Sequence, residues 1–386
     1  MQQPKILQVI PGLHTGGAER TAVDIGDAIV AQGWQSLVAS AGGRMLDQLL
    51  GGGSRHINMP LDSKNPFVIW RNGKRLAKLI ETEGIDLIHA RSRAPAWSAL
   101  IAARRTGIPF VTTYHGSYNQ KSKLKALYNS VMARADVVIA NSQWTADLIA
   151  SRNPWARDRI QVVHRGTDFD EFKQSSITEQ RQSALHDQWG VKKRHTLIVQ
   201  LARLTGWKGQ TVVIDAAADL VADHKDLRFI LAGDAQGRED YLAMLRQKIT
   251  EYGLEDHVVL PGHCDDPAAA MAAAELVLVA STQAEAFGRA AVEAGALERP
   301  VIVSRIGAVG ETVLATPEVT ESERTGWKVT PGDAGELAQA IRDSLALDDD
   351  QRRAIGVRAR NHGISNFALK QMYDKTIAIY QGLLAQ

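Results

Sequence analysis

A single cysteine, Cys264, stands in 386 residues, which excludes an internal disulfide and any multi-thiolate metal site. Long apolar runs are missing as well: nothing approaches eighteen consecutive apolar residues, the length a membrane-spanning helix demands. The start, MQQPKILQVIPGLHTGG, is a short apolar strand breaking into a glycine loop. It lacks the long apolar region and cleavage site of a signal peptide. These shortages predict a reducing, cytoplasmic setting. Excess charge of either sign is also lacking. The net charge is +2, which gives nucleic acid no special claim as a partner. The dinucleotide fingerprint G-x-G-x-x-G is absent, which disfavours a nicotinamide-dependent dehydrogenase.

What is present is the composition of a globular protein, with 45% hydrophobic and 23% charged residues,. The chain is too long for one ordinary core and predicts two domains. Charge is divided unequally along it. Met1 to Leu185 holds 23 basic against 15 acidic residues, and the remainder 22 against 28. Halves of opposite sign fit two domains, the first facing something anionic.

Short apolar runs rich in Val and Ile alternate with amphipathic stretches. KILQVI, SLVAS, DLIHA, PFVTTYH, DVVIAN and IQVVHRG read as strands of the first half. Their lack of alternation predicts parallel strands covered on both faces, linked as βαβ units. The pattern thins between Phe169 and Arg194, then restarts with TLIVQLA, RFILAGD, HVVLPG, LVLVAS and PVIVS. The expectation is two doubly wound α/β units in series, joined near Phe172 to Val191, with a helical tail over Asn366 to Leu384.

Open parallel sheets bind ligands beyond the carboxyl ends of their strands, and the unusual residues gather there. Gly16 and Gly17 follow the first strand and let backbone amides approach a ligand at a helix start; an ordinary tight turn reads the same way. His115 ends a strand. Arg203 and Lys208 lie five residues apart in a glycine-containing loop before a helix, an arrangement suited to a diphosphate. Gly233 ends another strand, and Gly262-His263 another, where a base can lie against backbone. In EAFGRAAVE the helix begins near Gly288, so the amides of Phe287 to Ala290 form an N-terminus that favours an anion. Glu285 lies before that helix and Glu293 just over one turn into it. Like charges bar them from ligating phosphate, but each can accept bonds from sugar hydroxyls.

E-A-F-G-R-A-A-V-E resembles the Glu-x7-Glu motif of the family 4 glycosyltransferases. So do L-A-R-L-x-x-W-K-G, A-G-D-A-x-G, and P-V-I-V-S with its following G-x-x-G-E. R-G-T-D-x-x-x-F (Arg165 to Phe172) resembles the family's usual N-G-V-D-x-x-x-F, and T-Y-H-G and N-S-Q-W-T resemble its N-terminal motifs. Together they cover nearly the whole chain. The resemblance implies a GT-B fold: two Rossmann-like, doubly wound parallel-sheet domains facing each other across a cleft, the last helix crossing back onto the first. Residues 1–172 with 366–386 would form an acceptor-binding domain, and 190–365 a nucleotide-sugar-binding domain. It further implies a nucleoside-diphosphate sugar donor, transfer of a hexose-type sugar with retention, no cofactor and no required metal. Carried over, His115, Glu285, Arg203 and Lys208 are catalytic. Glu285 holds donor-sugar hydroxyls, Glu293 the ribose diol, and Gly16, Gly17, Gly233, His263, Phe287, Gly288 and Arg289 complete the donor site. Ala286 replaces a frequent Gly and Arg165 a frequent Asn, departures that bear on donor identity more than on the reaction.

For the acceptor, Arg91 and Arg93 stand at a strand end. The stretch Lys121 to Ala135 is basic, with Leu124, Leu127, Tyr128, Val131 and Met132 at helical spacing. It reads either as a core-facing helix with a solvated basic face or as a membrane-surface helix near anionic lipid, with Lys121 and Lys123 at its head. The second reading favours a lipid-linked or lipopolysaccharide-type acceptor of cell-envelope biosynthesis and a peripheral place on the inner face of the plasma membrane. A nucleotide-sugar epimerase on the same fold and a non-catalytic nucleotide-sugar-binding protein stand as alternatives. Asp168-Phe169-Asp170 spells a D-x-D string, but Asp168 reads as a helix cap. Asp348 to Asp350 reads as a helix start or solvated surface, and no metal site is expected.

Overall fold

The unalternating Val- and Ile-rich runs become two parallel sheets in the computed structural model, which describes residues 3–14 and 16–385. One compact unit is formed by the chain up to Gly166 with the segment from Lys370, the other by Thr167–Leu369. No helix among the described residues is long and apolar enough to cross a membrane.

Among the described residues the first unit has seven strands: β1 (Lys5–Val9), β2 (Gln35–Ser40), β3 (Arg55–Asn58), β4 (Leu87–Ala90), β5 (Phe110–Tyr114), β6 (Val137–Ala140) and β7 (Ile160–Val162). Their order is β3-β2-β1-β4-β5-β6-β7, so the winding reverses beside β1. The connections carry α1 (Gly17–Ala31), α2 (Leu46–Gly51), α3 (Pro66–Glu83), α4 (Arg93–Thr106), α5 (Lys123–Asn129) and α6 (Gln143–Arg152). Leu76 and Ile80 of α3, Ala99 of α4 and Ile149 of α6 share one apolar cluster. Ala22 and Val23 of α1 belong to another, with Ile10, Val38 and Leu49. β3 was not foreseen. Its sequence, RHIN, is polar because it is an edge strand.

The second unit opens with α7 (Glu179–Trp189) and then alternates β8 (Thr196–Leu201), α8 (Gln210–Leu220), β9 (Leu227–Ala232), α9 (Glu239–Glu251) and β10 (Val258–Val259). It continues through α10 (Pro267–Ala272), β11 (Leu276–Val279), α11 (Arg289–Ala296), β12 (Val301–Ser304), α12 (Val309–Thr312) and β13 (Trp327–Val329). Helices α13 (Ala334–Leu345) and α14 (Asp349–Phe367) complete it. The order β10-β9-β8-β11-β12-β13 again reverses beside the unit's first strand, β8.

The stretch expected as the join is part of the second unit's core. Phe172, Leu185, Trp189 and Val191 are buried in one cluster with β8 and α10. Arg360 donates to the Phe172 carbonyl at 3.1 Å, and Arg181 grips both oxygens of Asp266 at 2.7 Å. The division therefore falls at Gly166, where widely spaced apolar residues begin to pack.

The last helix, α15 (Leu369–Leu384), belongs to the first unit from Lys370 onward; the helical tail expected from Asn366 is split by Ala368. The Tyr380 hydroxyl and His89 Nδ1 share a hydrogen bond of 2.5 Å, and His89 Nε2 meets Thr113 Oγ1 at 2.7 Å. All three side chains are buried. Burial, then the nearby Arg91 and His115, pushes the His89 imidazole well below its ordinary value. Tyr380→Phe should therefore lower stability by about 1–3 kcal/mol, because it leaves a buried ring nitrogen unpaired. Stability should also decline as the medium falls below about pH 6.5, where the unfolded histidine takes a proton that the fold refuses. Urea unfolding across that range checks both; a flat pH profile in the wild type would contradict the second.

Candidate active site

In the second unit the loops after β8, β11 and β12 are fastened together. The β8 loop makes a tight turn at Gly206–Lys208, then passes through Gly209 at φ 75, where a Cβ would fall on the Ala280 carbonyl oxygen. Thr282 N donates to Trp207 O at 2.8 Å, joining this loop to the one after β11. Lys208 Nζ forms an ion pair with Glu285 Oε1, to which Ser281 Oγ also donates at 2.6 Å. Glu285 is held from its other side as well: its carbonyl accepts from Ala308 N at 2.8 Å, and Gly307, at φ 79, leaves room for its backbone. Arg203 lies in the same loop as Lys208, but its side chain is exposed and makes no ion pair among the described residues.

Gly288, left-handed at φ 82, is the N-cap of α11. One turn in, the buried Glu293 pairs with Arg289, so these two expected donor contacts are partners of one another. Phe287 was expected to offer its backbone amide to the donor; its ring is buried edge-on against Phe367, with centroids 5.3 Å apart. An aromatic at that position fills the core, and only its backbone is left for a ligand. Gly233 serves close packing: a Cβ there would strike the Ala202 carbonyl oxygen. His263 is exposed, 3.4 Å from Asp265.

In the first unit His115 follows β5, and neither of its buried ring nitrogens has a hydrogen-bond partner among the described residues. Burial, then Arg91 and Arg165, pushes its imidazole well below the ordinary value, so the ring is neutral. Arg91 was expected to meet an acceptor from a strand end. It is 2% exposed, with Nε donating to Gln8 Oε1 at 2.8 Å. Its residence under the strand ends, where the winding reverses, lowers the guanidinium to about 10 through burial. Arg93 braces the fold, donating to Asn129 Oδ1 at 2.9 Å and lying 4.3 Å over the Tyr118 ring. Gly16 and Gly17 do open α1, and the Arg165 guanidinium occupies the space that a Cβ on Gly17 would need. Lys121 and Lys123 are exposed at the head of α5, which Ser122 caps.

The expected long helix from Lys121 is shorter, α5 giving way to a tight turn over Ser130–Ala133. Val131 and Met132 are buried, whereas Leu124 and Leu127 are exposed. Asp168 caps a turn rather than a helix, accepting from Asp170 N and Glu171 N at 2.9 and 3.1 Å. Asp348 caps α14 in a reciprocal box with Gln351. Burial pushes the Cys264 thiol up to about 11, which leaves it unreactive,. Two contributors escaped the sequence reading. Ser281 is one, signalled only by a hydroxyl at a strand end; Arg165 is the other, visible as a cation where Asn is usual.

Removing Arg289 would leave Glu293 buried without its cation. Arg289→Met should cost about 1–3 kcal/mol, and the double variant Arg289→Met/Glu293→Gln should regain part of it, because the uncompensated charge is gone. Urea unfolding of the four proteins decides this; strictly additive losses would mean the pair is decorative.

Two family models match this frame: the one described as Glycosyltransferase Family 4 over residues 15–171, and the one described as Glycosyl transferases group 1 over residues 181–362. A glycosyltransferase from Rickettsia africae superposes with a TM-score of 0.88 at 31% identity, covering 100% of this chain and 99% of its own. Alr3699/HepE of Anabaena, solved in complex with UDP and glucose, superposes at 0.83 with 27% identity, covering 98% and 100%. D-inositol 3-phosphate glycosyltransferase 1 of Catenulispora acidiphila is 27% identical over 81% of this chain and 76% of that protein. N-acetyl-alpha-D-glucosaminyl L-malate synthase of Bacillus anthracis is 26% identical over 80% and 78%. With two Rossmann-like parallel-sheet units and motifs that match along nearly its whole length, the chain belongs to the family 4 glycosyltransferases.

Proposed function

We propose that the protein transfers a hexose-type sugar, with retention, from a nucleoside-diphosphate sugar to a hydroxyl of an anionic, lipid-linked or lipopolysaccharide-type acceptor. The observation that carries the donor part is the Lys208–Glu285 pair, set in three fastened loops where the winding of the second sheet reverses. Related Alr3699/HepE binds UDP and glucose, which favours a donor of that class here. In this reading Lys208 and Arg203 meet the diphosphate, and the amides opening α11 add to them, so that no metal is required. Glu285 spends Oε1 on Lys208 and Ser281 and turns Oε2 to a hydroxyl of the sugar. The bond from the anomeric carbon to the diphosphate oxygen breaks. The acceptor oxygen bonds to the same face, and its proton passes to the leaving phosphate. The neutral His115 offers one ring nitrogen to a hydroxyl of the transferred sugar and keeps the other open.

The acceptor part rests on the surface of the first unit. Phe67 and Trp70 on α3 are 83% and 51% exposed, and Leu124 and Leu127 on α5 are 80% and 55% exposed. Cations surround them: Lys74 lies 3.6 Å over the Trp70 ring, and Lys121, Lys123 and Lys125 flank the leucines. Exposed apolar side chains among cations are the chemistry of an anionic bilayer surface, which would place the protein at the inner face of the plasma membrane.

Three measurements test the reading. Lys208→Ala and Arg203→Ala should each lower turnover by roughly two orders of magnitude or more, with chelator present throughout. Glu293→Gln should weaken a bare nucleoside diphosphate by roughly tenfold to a hundredfold while Glu285→Gln hardly alters it. Calorimetric titration with the opposite ordering would mean the nucleotide is placed backwards. For the acceptor, changing Lys121, Lys123 and Lys125 together to Glu should abolish sedimentation with anionic vesicles and spare donor binding; equal sedimentation by mutant and wild type would remove the membrane from the proposal.

A further inference from the structure

Arg91 and His115 pose a chemical problem that the first unit does not solve internally. Among the described residues, Arg91 Nη2 is buried without an acceptor, and both ring nitrogens of His115 are buried without partners. Folded proteins satisfy nearly all such groups, and a buried cation left uncompensated is costly. Both residues line one cavity of about 20 Å³, together with Thr21, Thr113, Asn141 and Arg165. A space of that size takes one atom of about the size of an oxygen.

The lining is one-sided in charge. Among the described residues it holds two guanidinium groups and no carboxylate. Asp24, the acid that acts on Arg91 from nearby, accepts from Arg20 Nε at 2.9 Å, and the Glu19 carboxylate lies against Gly16. Arg165 reaches the cavity because residue 17 is glycine, and it is fixed there by a bond from Nη2 to Thr21 Oγ1 at 3.1 Å. A guanidinium nitrogen can only donate, so what completes this cavity must accept, and two cations favour an acceptor that carries negative charge.

We propose that this cavity is an anion site, in which Arg91 Nη2 and a ring nitrogen of His115 take one oxygen of a phosphate or carboxylate group and Arg165 guards its edge. It deepens the acceptor part of the reading above, because an anionic acceptor would bring such a group. A free anion offers the same chemistry, and the experiment separates the two.

The test follows the His115 ring nitrogens by NMR in the full-length protein, labelled at histidine and assigned with His115→Gln, during titration with inorganic phosphate at constant ionic strength. A saturable shift is expected, weakened roughly tenfold or more by Arg165→Gln and by Arg91→Lys. Should the buried Arg91→Lys variant not fold, Arg165→Gln carries the comparison. Lys208→Ala should leave the shift intact. A nucleoside-diphosphate titration of that same variant reports on the donor reading, so either idea can fail alone. Tighter binding of a polyol phosphate than of inorganic phosphate identifies the substrate as bearer, and equal affinity identifies a free anion. A His115 signal that does not respond, or that responds equally in Arg165→Gln, overturns the site and leaves the cavity to water.

Discussion

The Lys208–Glu285 pair is the contact that fastens the strand-end loops of the second unit. It joins a loop that leaves β8 to one that leaves β11, and these strands are neighbours only because the winding reverses between them. In the proposed reading such a cation would meet a phosphate without rearrangement, because Glu285 holds it and Ser281 in turn holds Glu285. Preorganised charge of this kind stabilises a developing anion more than a mobile surface lysine can. The glycines at 209 and 307 serve the same end, since a side chain at either would force the loops apart.

Buried charge is treated unevenly in both units. In the second, Lys208 is matched with Glu285, Arg289 with Glu293 and Lys328 with Glu318, whereas Arg299 Nε has no partner among the described residues. In the first, His89 is fully satisfied by Tyr380 and Thr113, while Arg91 and His115, close in sequence to the same strands, are left with open nitrogens. The contrast lies within one sheet. That locality makes a general looseness of packing a poor explanation, and a ligand-shaped gap a better one.

Much of the fold was legible because its signal is local. Runs such as KILQVI and LVLVAS read as covered strands because they are short and rich in Val and Ile, and the βαβ order follows from what lies between them. β3 and β13 were not legible. They are short edge strands, and RHIN and WKV carry charge where an inner strand would carry Val or Ile. The candidate site was legible in the second unit, where Glu285, Lys208 and Glu293 stand at motif spacing. It was less so in the first. Whether Arg91 meets water or the sheet interior depends on the loops folded over β4, which spacing alone does not encode. The same holds for Phe287, whose motif position says nothing about the ring of Phe367 waiting behind it.

The second unit is one continuous stretch, Thr167–Leu369, whereas the first is closed by a helix drawn from the end of the chain. Synthesis therefore delivers the parts out of order. For the time needed to make some two hundred residues, roughly ten to forty seconds at ordinary ribosomal speed, the first sheet waits without α15, its His89 lacking Tyr380. The segment made later has everything it needs as soon as it emerges. The unit encoded second can be the first to mature, and the amino-terminal sheet is the one with reason to seek a chaperone.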